Sequence, residues 1–434
     1  MNVRIAVVLY SLAVVVIPIG VASKFLLGLD DVTWIDPTLV LSIASMAVLL
    51  PRWGDFLGAD LRLLTIGAAI LAAASLVCAF SGFLLRPTPS LYNAIREPLR
   101  LWLNLCWFLL SAWFLRNRPR VVLCCSGIAV AFALCTGVYL DLVVFGIAPA
   151  PQLVVSYARI YFLRQTVWFG YTPIPRMSGL YFEGPPFGLF MFSMLVVLFV
   201  LRRDGFRSKG SGRSIALATL GTILALADQV LLGALVSLAV CLPALGKKNA
   251  HALRFAMLFV IVGLGCFEAY SISAKNGTSA FEIGSNINGN SVGERSFHLR
   301  YGLSLLQSNP SATLLGIGPG RYGEYVAETG NFPDTESMQT SEAEVLVEWG
   351  VLGSFVWLVL FVCVMTRAWA AHHMLGIGLL FGVIIADSFQ ANWKHEAVFL
   401  AIATLCSPRC TNPTGDSADA AVPGALCGGS QATP

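Results

Sequence analysis

The chain has 434 residues, of which 56% are hydrophobic and 12% charged, and its formal net charge is +4. Soluble domains carry roughly 25% charged residues, so this composition excludes an ordinary water-facing globule and predicts an all-α integral membrane protein. The basic residues are spread along the chain rather than gathered in one strongly basic domain, which excludes a nucleic-acid-binding surface.

A hydrocarbon layer about 30 Å thick needs roughly 20 mostly apolar residues per helix, because lipid offers the backbone no hydrogen-bond partner. Such stretches fall near residues 3–21, 37–51, 62–83, 99–115, 121–145, 185–201, 214–227, 230–245, 254–270, 345–366, 374–387 and 397–407, about twelve spans. The first is expected to be an uncleaved span, since Arg4 is the only charge ahead of an apolar run longer than a signal-peptide core. Ser214 to Leu245 reads as two helices with Asp228 and Gln229 at a solvated turn, where their polar groups escape the lipid.

Positive residues in short loops stay on the cytoplasmic side. With twelve spans, the blocks around Arg116–Arg120, Arg202–Arg213 and Lys247–Arg254 all fall on one side, and both termini are cytoplasmic. The outward set is then Lys24, Arg86, Arg96, Arg100, Arg159, Arg164, Arg176, Lys275, Arg295, Arg300, Arg321 and Lys394. Its bias toward arginine points to a phosphate-like ligand, since the guanidinium is a planar fork of donors; snorkelling to lipid headgroups is the plainer alternative for any single arginine.

Four regions follow: residues 1–270 with spans one to nine, 271–344 as a large periplasmic loop, 345–407 with the last three spans, and 408–434 as a disordered cytoplasmic tail. Before the sixth span, Val154 to Phe169 is read as a surface-lying amphipathic helix. In the large loop, Phe297, Leu299, Leu303, Leu305 and Leu306 alternate with Arg295, Arg300 and Gln307 at helical spacing, and Asn309-Pro310 ends that helix. The cysteines lie in or beside spans or in the tail, so no disulfide framework or zinc pattern is implied.

Three segments carry candidate chemistry. Arg176-Met177-Ser178-Gly179-Leu180-Tyr181-Phe182-Glu183-Gly184-Pro185-Pro186 sets an arginine and a carboxylate beside a helix N-terminus, whose unpaired amides favour an anion. Arg295, His298 and Arg300 precede Gly316-Ile317-Gly318-Pro319-Gly320-Arg321, read as a flexible turn that lets Arg321 approach a ligand; with no strand ahead of it, a dinucleotide fold is excluded. Thr340 to Gly353 places Glu342, Glu344 and Glu348 at a membrane surface. Ser341 and Glu344 have capping-box spacing, and Glu348, a turn into the apolar run, calls for an arginine partner. His298 and His395 lack metal-like neighbours and read as surface hydrogen-bonding groups.

These segments, in this order, resemble the O-antigen ligase and polymerase superfamily of bacterial inner-membrane proteins, over residues 176–186 and 291–353. The resemblance implies glycosyl transfer outside the cytoplasm, from an undecaprenyl-pyrophosphate-linked glycan to a glycan acceptor, without metal or other cofactor, in the company of membrane lipid and polysaccharide-assembly proteins. It makes Arg176, Arg295, Arg300 and Arg321 pyrophosphate-binding residues and Glu342 or Glu344 the base, with Glu183, Glu348 and His298 nearby. Ligases of this superfamily carry a histidine just before the Glu-x-Gly helix, where this chain has Gln339, Thr340 and Ser341, so a repeat-unit polymerase is expected rather than a ligase, and the outward arginines alone would also fit a non-catalytic transporter of a lipid-linked anion.

Overall fold

A computed structural model describes residues 2–20, 36–52, 54, 59–85, 91–156, 166–169, 172–175, 177–181, 184–208, 210–241, 289–327, 341–388 and 395–407. The described chain is an α-helical membrane protein. Its main helices are α1 (Asn2–Val16), α2 (Pro37–Leu49), α3 (Ala59–Leu85), α4 (Leu91–Asn117), α5 (Pro119–Val144), α6 (Gly184–Arg203), α7 (Ser211–Leu224), α8 (Asp228–Cys241), α9 (Gly289–Ser308), α10 (Pro310–Leu315), α11 (Tyr322–Ala327), α12 (Ser341–His372), α13 (Met374–Ser388) and α14 (Glu396–Cys406).

Helices occupy eleven of the twelve predicted span intervals, and 254–270 lies outside the described residues. Among the described residues, five helical segments are long and apolar enough to cross a membrane: Arg62–Leu85, Ile95–Asn117, Pro119–Val144, Pro185–Arg203 and Ala343–His372. The break between α7 and α8 falls where the polar pair Asp228 and Gln229 required it, just after Leu226 in a left-handed conformation.

Two expectations are corrected. The helix read from Val154 to Phe169 does not extend that far, because Thr166–Phe169 and Thr172–Pro175 are paired antiparallel strands with Phe169 opposite Thr172. Thr-Val-Trp-Phe is a β-branched and aromatic run, and Pro173 and Pro175 could not donate in a helix. The second concerns α12, which is not one continuous span: Gly350, at φ 63° and ψ −169°, divides it into 341–349 and 351–372. Glu348 therefore sits on the short segment that ends at the break.

Packing in the bundle uses small residues where backbones approach, as expected where lipid supplies no hydrophobic drive between helices. Between α8 and α13, a Cβ on Gly233 would lie 2.3 Å from the Gly382 carbonyl oxygen, and one on Gly382 1.7 Å from the Ser237 hydroxyl. The short helix α14 is the axis of the bundle: all its residues except Ile402 are buried. Its first turn lies at the same end as the starts of α2 and α4 and the α9–α11 helices, and the site is built there.

Candidate functional site

The loop helices are held to the bundle by contact between two glycine-bearing segments. The carbonyls at the end of helix segment 341–349 lack intrahelical partners once Gly350 breaks the helix. They are taken up from the loop: the amide of Ile317 donates to the Val347 carbonyl at 3.1 Å and that of Gly318 to the Glu348 carbonyl at 3.0 Å. The two backbones touch, since a Cβ on Gly316 (φ 77°) would lie 2.1 Å from the Glu348 carbonyl oxygen and one on Gly350 2.4 Å from the Gly316 nitrogen.

The Glu348 side chain completes this clasp. Its Oε2 accepts from the Gly320 amide at 2.7 Å and its Oε1 from the Tyr322 amide at 3.2 Å. A carboxylate there also faces the positive end of α11. Backbone amides of the loop are thus among the partners that fix Glu348.

Arg321 follows the clasp inward. It is 1% exposed. Its Nε and Nη2 donate to Glu324 Oε2 at 3.1 and 2.8 Å, and its Nη1 donates to the Gly82 carbonyl of α3. Gly82 is a second close approach, with a built Cβ 2.4 Å from the Ile317 carbonyl oxygen. The predicted flexible turn is thus a packed plug, and the buried Arg321 guanidinium bonds the loop to α3.

His298 is buried, not on the surface as expected. The Tyr322 hydroxyl donates to the His298 carbonyl at 3.0 Å and lies 3.0 Å from His298 Nδ1. A phenol has one proton, so the ring donates to it through Nδ1. Burial, with a smaller push from Tyr301, raises the Tyr322 phenol above its ordinary value. His298, Gly302 and Leu306 form the buried stripe of α9, and Leu299, Arg300 and Leu303 are exposed beside it. The apolar face of this helix is therefore split, with part of it outward next to Arg300.

Of the other predicted residues, Glu344 is buried one turn before Glu348, and Arg295 and Glu342 lie on the helical backbones of α9 and α12. Arg176 and Glu183 lie outside the described residues.

Beside the plug is a cluster that sequence reading did not assemble. A Cβ on Gly320 would lie 2.0 Å from Glu97 Cγ on α4, and Glu97 pairs with Arg96 at 3.4 Å. One turn further along α4 is Arg100, and at the bundle axis His395 caps α14, its Nδ1 accepting from the Ala397 amide at 3.2 Å. Asp36 caps α2 through the Thr38 amide at 2.7 Å, with Gly20 leaving room for its carboxylate. Tyr181 packs its ring against His395, centroids 5.5 Å apart. Burial, then the carboxylates of Glu396 and Asp36, hold its phenol well above the usual range. The signal for this cluster was faint: Arg100 and His395 were on the outward side, but positions 36, 100, 181 and 395 share no motif.

Burial carries the His395 pKa down to about 4, Asp36 opposing and Arg100 assisting. Its folded value is below its unfolded one, so the stability it contributes is full above pH about 6.5 and is lost as pH falls toward 4. Wild-type protein is expected to lose on the order of 2 kcal/mol more than His395→Asn across that window, after allowing for partial exposure. Thermal unfolding of both proteins at pH 7 and pH 4.5 measures it, and parallel pH curves would refute it.

Below this polar end lies a cavity of about 610 Å³ lined by Leu71, Phe108, Val345, Trp357, Leu380 and Phe399 among other apolar side chains, with Ser354 and Asp387 as its oxygen-bearing members. Val345 is one turn from Glu348 and Phe399 one turn from His395, so the slot begins where the polar cluster ends.

Neither a protein-family model nor a curated relative matches the chain.

Proposed function

We propose that this chain is a polysaccharide repeat-unit polymerase of the bacterial inner membrane, joining glycans carried on undecaprenyl pyrophosphate at the periplasmic side. The observation that carries the reading is the clasp: the Gly316–Gly320 and Glu348–Gly350 segments, two of the three that resemble the O-antigen superfamily, are hydrogen-bonded to each other over a polar bundle end. Segments that meet in space behave as one working part, whereas chance resemblances have no reason to meet.

The apolar slot suits a hydrocarbon carrier and the charged end suits its diphosphate and sugars. In the transfer, an acceptor hydroxyl oxygen bonds to the anomeric carbon as the bond from that carbon to the diphosphate oxygen breaks. The proton passes to a carboxylate, for which Glu342 and Glu344 are the candidates on the clasp helix, and the diphosphate stays on the lipid. Stabilising charge on that leaving group is the main catalytic need. Arg176, Arg295 and Arg300 are the candidates for it, Arg300 being exposed on α9, whereas the buried Arg321 holds the loop. On the twelve-span map this end is periplasmic and both termini are cytoplasmic.

In a strain lacking the gene, lipid-linked single repeats should accumulate and long polymer should vanish. Accumulation of long unattached polymer would instead indicate a ligase acting on lipid A core or protein, and a reporter fused after Gly330 that is active in the cytosol would place the site in the wrong compartment.

A further inference from the structure

Arg100 lies outside both stretches that resemble the O-antigen superfamily, yet its setting differs from that of every other cation near the plug. It stands on α4, about a turn into the membrane-crossing segment Ile95–Asn117. That segment is interior, since from Leu101 to Leu115 no side chain is exposed. Trp102 bonds it to α3 through the Ser75 hydroxyl at 2.9 Å, and Trp107 bonds it to α14 through the Glu396 carbonyl at 2.8 Å. Arg100 is therefore half-buried at the top of an interior helix. An arginine at the lipid-facing rim would reach ordinary headgroups from there; this one is set back among helices.

Ionisable residues inside a span are costly, and those that persist pair with a protein group or mark the path of a ligand. Arg96 pairs with Glu97, and Arg321 with Glu324 and the Gly82 carbonyl. Arg100 has neither an ion pair nor a hydrogen bond among the described residues. One turn toward the plug, Glu97 packs on Gly320, which places Arg100 next to the clasp. Two turns the other way, about 12 Å along the helix axis, Phe108 lines the apolar slot, as does Leu105 between them. A void of about 610 Å³ carries a large cavity penalty if it stays empty, and its lining offers water few partners. A hydrocarbon chain fills it without either cost, and a guanidinium above that chain is a forked donor for a phosphate at its head.

We infer that Arg100 grips the phosphate of a polyprenyl diphosphate whose chain occupies the slot between α4, α12 and α14. The assignment rests on the glycosyltransferase reading and gives it a diphosphate contact that neither resembling stretch supplies. A phospholipid offers the same phosphate and chain, but its headgroups gather at the rim of the bundle, whereas Arg100 and the slot meet on an interior helix beside the clasp.

The test uses the full-length protein in phosphatidylcholine nanodiscs, titrated separately with geranylgeranyl diphosphate, geranylgeraniol and inorganic pyrophosphate. Trp357, in the slot wall, reports binding by its fluorescence. The diphosphate lipid should bind saturably and more tightly than pyrophosphate. Arg100→Gln should weaken it tenfold or more and Arg100→Lys by less, while geranylgeraniol affinity stays unchanged in both. Because Arg100 gives up no protein partner, both variants should melt at the wild-type temperature or above it, whereas a merely structural arginine would lower it. Diphosphate affinity unaltered in Arg100→Gln, geranylgeraniol binding lost with it, or a lowered melting temperature in both variants would each overturn the assignment. Exchanging part of the phosphatidylcholine for phosphatidylglycerol should leave the diphosphate affinity of wild type unchanged, and its abolition would give the site to ordinary anionic phospholipid instead. The polymerase reading fails separately, on the glycan profile of the deletion strain.

Discussion

Glu348→Ala is expected to free the loop helices from the bundle and abolish polymer formation. The carboxylate accepts from the Gly320 and Tyr322 amides at 2.7 and 3.2 Å and is 1% exposed. Hydrogen bonds to a charged group contribute about 1.5–3 kcal/mol each, and removing the acceptor leaves buried donors unsatisfied. The loss should be about 3–5 kcal/mol, enough to loosen the plug, which Arg321 and the two backbone bonds from Ile317 and Gly318 would then hold. Hydrogen exchange locates the effect: the amides of residues 317–322 should lose protection, while those of α5 and α6 keep theirs. Glu348→Gln, which retains one acceptor oxygen, should lie between the two. Unchanged protection at Gly320 and Tyr322 in the alanine variant would show that the clasp does not hold the loop.

Gly316→Ala should be at least as damaging, although it adds a single methyl group. The residue sits at φ 77° and ψ 177°, a region essentially confined to glycine, where an L side chain costs roughly 1–3 kcal/mol. The new Cβ would also lie 2.1 Å from the Glu348 carbonyl oxygen, a backbone atom that cannot rotate away. The two effects together should exceed about 3 kcal/mol and separate the segments. Gly146 provides the comparison: its φ, 70°, is also positive, but there is open space around it. Gly146→Ala should therefore cost only the conformational share, about 1 kcal/mol. Yields of monodisperse protein in detergent, measured for both variants, read the difference directly, and equal yields would mean that the close approach is not tight.

The membrane helices were legible because lipid imposes one rule on every span: enough apolar length, with polar residues at the turns. Asp228 and Gln229 marked a break for that reason, and Asn309-Pro310 marked another, where Asn309 ends α9 and its side chain caps α10 through the Ser311 amide at 2.9 Å. The strand pair 166–169 and 172–175 was missed because an apolar stretch with aromatic residues fits helical and strand periods alike over so few residues. The kink in α12 was missed for a different reason. Gly350 is one of many glycines, and what makes it a break is the loop amide that takes over the carbonyls ahead of it.

Arg321 and Glu348 show the limit most clearly. From sequence both were charges near a membrane surface, the first facing a ligand and the second in need of an arginine. In the fold Glu348 bonds to amides 26 and 28 residues away in the chain, and Arg321 to Glu324 and a carbonyl 239 residues away. Backbone donors and acceptors are present at every residue and leave no mark on composition, so the partner of a side chain that bonds to them cannot be read from side-chain patterning.

What the sequence determined by itself was the solvent of this protein and the place of most of its described helices, because apolar length, proline and glycine act locally. What only the tertiary structure decided was which of those segments touch: the clasp between Gly316 and Gly350, the burial of Arg321, and the gathering of Asp36, Arg100, Tyr181 and His395 around the start of α14. Those contacts depend on how helices distant in the chain pack side by side, and helix packing is set by the shapes of facing surfaces, which no short stretch of residues encodes alone.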